Sequence, residues 1–72
     1  MTLADLLRRY RTRGFWSRDE IAIAAGVSSQ YIQMLETGVR FPSDDTIERL
    51  IIAMDLSGRE ANLFRRTGSE RP

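Results

Sequence analysis

Apolar residues recur along the chain in short clusters with helical spacing. Leu3, Leu6, Leu7 and Tyr10 fall at i, i+3, i+4 and i+7, one face of a helix from about Thr2 to Arg11 with Gly14 as its expected stop. Phe15 and Trp16 lead into Ser17-Arg18-Asp19-Glu20, which has the form of a capping box: a serine that caps and a glutamate three residues on that reaches back. Trp16 before the cap and Ile21 at the fourth helical position make a hydrophobic staple, so a second helix begins at Arg18. This Ala- and Ile-rich helix must end at Gly26, because glycine accepts the left-handed backbone that closes a helix.

Only Val27 separates that end from Ser28, the next N-cap, and two helices joined by so short a turn cross steeply, as in a helix-turn-helix. The third helix runs from Ser29 to about Glu36, and Thr37-Gly38 ends it. After the loop Val39-Arg40-Phe41-Pro42, Ser43 caps a fourth helix whose Asp44 and Asp45 favour the positive end of the helix dipole. Ile47, Leu50, Ile51 and Met54 give that helix its buried face, and Asp55 supplies a left-handed exit. Ser57-Gly58-Arg59-Glu60 reads as another capping box, opening a fifth helix with Ala61 and Phe64 inward. The expectation is an all-α, compact five-helix domain over residues 1–66 with a flexible C-terminal tail at 67–72. The aromatics Phe15, Trp16 and Phe41 are read as staple and core packing.

Composition narrows the chemistry. A chain of 72 residues has room for one domain, and 42% hydrophobic with 29% charged residues is the balance of a folded protein, not a disordered tail. Cysteine, histidine and lysine are absent, which removes disulfides, the usual metal ligands and the common activated nucleophiles and bases. No catalytic residue, metal or cofactor is expected, and no small-molecule pocket is legible. The apolar runs Ile21–Val27 and Leu50–Met54 are far shorter than the roughly 20 residues of a membrane span, so a cytoplasmic protein without membrane contact is expected. Net charge is only +1, yet residues 1–18 hold Arg8, Arg9, Arg11, Arg13 and Arg18 against Asp5 alone. One end of the chain is basic, and the total conceals it.

Ser17-Arg18-Asp19-Glu20-Ile21-Ala22, Ala25-Gly26-Val27-Ser28, Tyr31-Ile32, Leu35-Glu36, Gly38, Arg40 and Pro42-Ser43 together carry a resemblance to the Xre/Cro-like helix-turn-helix family of phage repressors and bacterial regulators. The likeness continues through the fourth helix, and Leu63-Phe64-Arg65 looks like the fifth helix of some actinobacterial members. It implies a lambda-repressor-like domain with the helix-turn-helix at helices two and three. Where members commonly have glutamine touching a phosphate this chain has Arg18, which adds a full charge. Where they often carry a basic residue it has Val39, which removes a phosphate contact from the loop.

The third helix can be oriented without the family. With Ile32 and Leu35 buried, a turn of 100° per residue points Gln30, Gln33, Met34 and Thr37 outward, with Ser29 and Tyr31 flanking that face. N-terminal residues of a recognition helix reach base edges, so Ser29, Gln30, Tyr31, Gln33 and Met34 are the expected base contacts, Gln30 foremost because an amide bonds bidentately to adenine. Arg18, Ser28, Thr37 and Arg40 are the expected phosphate contacts. A cation at a helix N-terminus is mildly unfavourable, which implies another reason for Arg18. Glu36 is placed to orient Arg18 or Arg40, through an exposed pair of small value. Arg9, Arg11 and Arg13 are read as solvated charge.

The expected function is therefore a sequence-specific, double-stranded DNA-binding transcriptional regulator, a repressor by family resemblance, acting as a homodimer on a pseudo-palindromic site. Two alternatives stand beside it: a protein-interaction module such as an antitoxin or corepressor-like component, and the DNA-binding part of a longer regulator.

Overall fold

The computed structural model describes residues 1–69. Five helices follow one another: α1 (Leu3–Arg13), α2 (Arg18–Ala25), α3 (Ser29–Glu36), α4 (Asp44–Ala53) and α5 (Gly58–Ser69), with no strand among the described residues. Both α2 and α3 have 8 residues, well below the roughly 12–15 at which an isolated helix becomes even marginal in water. They exist because they are capped and packed. Leu7, Ile21, Ile32, Leu50 and Phe64, one from each helix, are at most 1% exposed, and each such burial is worth about 1.5–3 kcal/mol. In this single core α2 lies against α3 and α4, while α1 lies against α3 and α5. No helix among the described residues is long and apolar enough to cross a membrane.

Polar side chains fix where helices begin. The hydroxyls of Thr2, Ser17, Ser28 and Ser43 accept the backbone N–H groups of Asp5, Glu20, Tyr31 and Thr46. Ser17 and Glu20 form the expected capping box, and Thr2 and Asp5 form a second one that the apolar pattern does not reveal.

Four helices end by one device, in which an N–H bonds back to the carbonyl five residues earlier: Trp16 to Arg11 (3.1 Å), Val27 to Ala22 (2.9 Å), Val39 to Met34 (3.0 Å) and Leu56 to Ile51 (2.9 Å). This closure needs a left-handed residue just before the donor. Gly26, Gly38 and Asp55 provide it as expected, but at the first closure it is Phe15, at φ 61°, and not its neighbour Gly14, at φ −85°. Gly14 is needed for a different reason: a Cβ there would lie 2.5 Å from the Trp16 ring.

Three expectations are corrected. Trp16 packs on the core, but Phe15 and Phe41 are 93% and 48% exposed. The box at Ser57 does not form, because the chain enters α5 through Gly58 at φ 57° and the Glu60 carboxylate bonds to Arg13 of α1 instead. Finally, α5 continues through Thr67, Gly68 and Ser69 where a tail was expected to start. Gly68 is buried, and a Cβ on it would meet the Ile47 Cδ1 at 2.5 Å, so the missing side chain lets the last turn of α5 close on α4. Residues 70–72 of the expected tail lie outside the described residues.

Ion pairs brace α5 from outside. Arg65 holds Glu48 of α4 at 2.7 and 2.9 Å, and Arg13 holds Glu60 while lying 4.8 Å from the centre of the Tyr10 ring. Hydrogen bonds from these arginines keep both carboxyls below the usual range, and hydrogen bonding with Thr2 does the same for Asp5.

A left-handed phenylalanine costs about 1–2 kcal/mol of backbone strain, and one so exposed returns little by packing. Phe15→Gly should therefore raise stability by about 0.5–1 kcal/mol after the added unfolded-state entropy of glycine is subtracted. A urea midpoint that falls for this variant would contradict the strain.

Candidate nucleic-acid interface

The turn between α2 and α3 positions the site. Ala22 and Ala25 are buried at 2% and 3% exposure, and their small size lets α3 seat Ile32 and Leu35 in the core. The remainder of α3 is thereby turned outward. Gln30, Gln33 and Thr37 are exposed, Ser29 and Met34 half-buried, and Tyr31, also half-buried, packs against the core. Among the described residues neither Gln30 nor Gln33 has a side-chain hydrogen bond within the chain, so both amides keep their full donor and acceptor capacity.

The hydroxyls differ in what they have left to give. Ser28 uses its oxygen to accept the Tyr31 N–H at 3.1 Å, which leaves its own proton available to donate. Thr37 donates to the Met34 carbonyl at 3.2 Å, and Ser29 donates to the Asp19 carboxylate. Asp19, on the first turn of α2, is a residue that the pattern of the sequence did not single out.

Behind this face lies Glu36, whose side chain is only 1% exposed. Arg11 of α1 grips both of its oxygens, Nε at 2.6 Å and Nη2 at 3.1 Å, and spends Nη1 on the Trp16 carbonyl at 2.9 Å. Arg18 of α2 adds its Nε at 3.2 Å. A buried carboxylate needs a partner of opposite charge and further hydrogen bonds, and here it has both. The exposed pair expected of Glu36 is thus a buried one. It involves Arg18 but not Arg40, and Arg11, read as solvated, is its main partner. One signal was available: Glu36 stands four residues after buried Ile32, on the same side of α3. Arg18, 46% exposed along its side chain, keeps both Nη groups unengaged among the described residues.

Arg11, Arg18, Asp19, Ser29, Gln30 and Gln33 line one shallow basin. Arg40 is exposed and outside it, bordering a separate concavity with Leu3, Leu35, Phe41 and Gly68. Val39, beside it, is 69% exposed. The basic N-terminal stretch is less free than its composition suggests, since Arg8 pairs with Asp5, Arg11 with Glu36 and Arg13 with Glu60. No group of acidic side chains among the described residues is arranged to hold a metal ion.

A family model for a helix-turn-helix domain matches residues 2–64. No curated protein and no solved structure matches the chain.

Removing the charge from Glu36 leaves Arg11, 13% exposed along its side chain, without its counter-ion. Glu36→Gln should cost about 3 kcal/mol or more, the usual scale for breaking a buried pair, whereas Arg18→Ala should cost under about 1 kcal/mol because its end of the fork is open to water. Equal losses in urea unfolding would show that the fork is not the buried anchor described.

Proposed function

The chain belongs to the helix-turn-helix domain family, and on that premise we propose that it is a sequence-specific duplex-DNA-binding transcriptional regulator, a repressor, that reads the major groove with α3. The observation that carries this reading is the pair of exposed, unengaged amides of Gln30 and Gln33 beside the half-free guanidinium of Arg18. An α-helix with its side chains is about 10–12 Å across, which fits a major groove about 12 Å wide. Gln30 bonds bidentately to adenine N6 and N7, Gln33 takes the next position, Met34 meets a thymine methyl, and Ser29 and Tyr31 border them. Arg18 and Arg40 grip phosphates on either side, with Ser28 and Thr37 beside them.

The regulator acts in the cytoplasm as a homodimer on a pseudo-palindromic site, with half-sites about one helical turn apart. It binds and does not catalyse. A protein-interaction role for α3 would want exposed aromatic and methionine side chains, and the half-burial of Tyr31 and Met34 argues against it.

Selection from a random duplex library, with affinities measured across a salt series, tests the proposal. A single enriched motif is expected. Gln30→Ala should relax preference at one base position by about 1–3 kcal/mol, and Arg18→Ala should weaken all duplexes alike and lower the salt slope by about one. Absence of any motif, or the reverse assignment of the two effects, would overturn it.

A further inference from the structure

A hydroxyl in the major groove is ordinarily ambivalent, because it can donate to or accept from a base edge. Ser29 has lost that freedom. It is the first residue of α3, and its proton is directed to the Asp19 carboxylate of α2, so toward solvent it offers lone pairs only. Asp19 offers carboxylate oxygens, which accept and never donate. Both residues line the basin that holds Gln30, Gln33 and Arg18, and Asp19 is exposed within it.

A negative charge at this place is unexpected in a surface that approaches phosphates, since it repels them. Its structural duty is slight: from the first turn of α2 it favours the helix dipole, while the capping there is done by Ser17 and Glu20. What an acceptor-only pair recognises is a donor, and in the major groove the donors are the exocyclic amines, N4 of cytosine and N6 of adenine. Guanine and thymine present O6 and O4 at the equivalent places and would face the carboxylate with another acceptor.

We propose that Asp19 and Ser29 form one specificity element, split between α2 and α3, that selects a base bearing an exocyclic amine and rejects guanine and thymine at that position. This rests on the reading of α3 as the helix that enters the major groove. The element makes α2 a reader of sequence in addition to a holder of the backbone, and it makes the Ser29 contact directional.

The test is selection from a random duplex library by the full chain, run in parallel with Asp19→Asn and with Ser29→Ala, each checked for unchanged helical content. The unaltered chain should enrich a motif that has cytosine or adenine at one position, favoured over guanine and thymine by about tenfold. Asp19→Asn supplies donors as well as an acceptor, so it should abolish that preference at that position alone while tightening binding to all duplexes at low salt. Ser29→Ala keeps the carboxylate and should retain a weakened amine preference. An Asp19→Asn motif identical to that of the unaltered chain, with only a uniform gain in affinity, would reduce Asp19 to simple repulsion and overturn the inference while leaving α3 as the reader. Failure of the unaltered chain to enrich any motif would defeat the inference together with the reading beneath it.

Discussion

A carboxylate removed from water is tolerable only where opposite charge meets it, and Glu36 is met twice, by Arg11 from α1 and Arg18 from α2. The rest of the site depends on this junction. It ties the end of α3 to the two preceding helices at a place where the apolar core gives out, and it holds Arg18 by Nε so that the two terminal nitrogens remain outside. The mildly unfavourable placement of a cation at the start of α2 is thereby explained. With two guanidiniums on one carboxylate, the corner keeps a surplus positive charge while its interior half is compensated.

The helices that carry the site are too short to persist alone, so their geometry is a product of the whole domain. Local chemistry sets the ends: hydroxyl caps at the starts and a left-handed residue at four of the stops. Packing does the remainder. Small Ala22 and Ala25 let α3 come close, Ile32 and Leu35 lock its rotation, and that rotation decides which side chains face outward.

Much of this could be read from the residues. The spacing of Ile32 and Leu35 gave the outward face of α3, and the positions of Ser17, Gly26, Ser28 and Ser43 gave the helix boundaries, because periodicity and capping are local properties. Interactions that span the chain were less accessible. The partnership of Arg11 with Glu36 joins residues far apart in sequence, so Arg11 looked like one more solvated arginine. Glu60 reads locally as part of a capping box, and its bond to Arg13, 47 residues away in the chain, exists only in the folded arrangement. Gly14 ends α1 as its place after the apolar pattern suggests, but the left-handed residue of that closure is Phe15, and the Trp16 indole occupies the space a Gly14 side chain would need. Nothing in the structure explains why a phenylalanine stands there. The last turn of α5 was not legible either, since a helix that closes on Ile47 through Gly68 leaves no composition signal.

The surface proposed to meet duplex DNA is the outward face of α3, with the start of α2 and the loop after α3. Titration of isotope-labelled protein with an enriched duplex, followed through its backbone amide resonances, tests this most directly. Shifts are expected to concentrate at Arg18, Asp19, Ser28 to Gln33 and Gly38 to Arg40, with the exposed side of α4 around Ile52 and the α5 residues near Asn62 unmoved. Shifts centred instead on Ile23 and Ile52, with Gln30 and Gln33 silent, would contradict it.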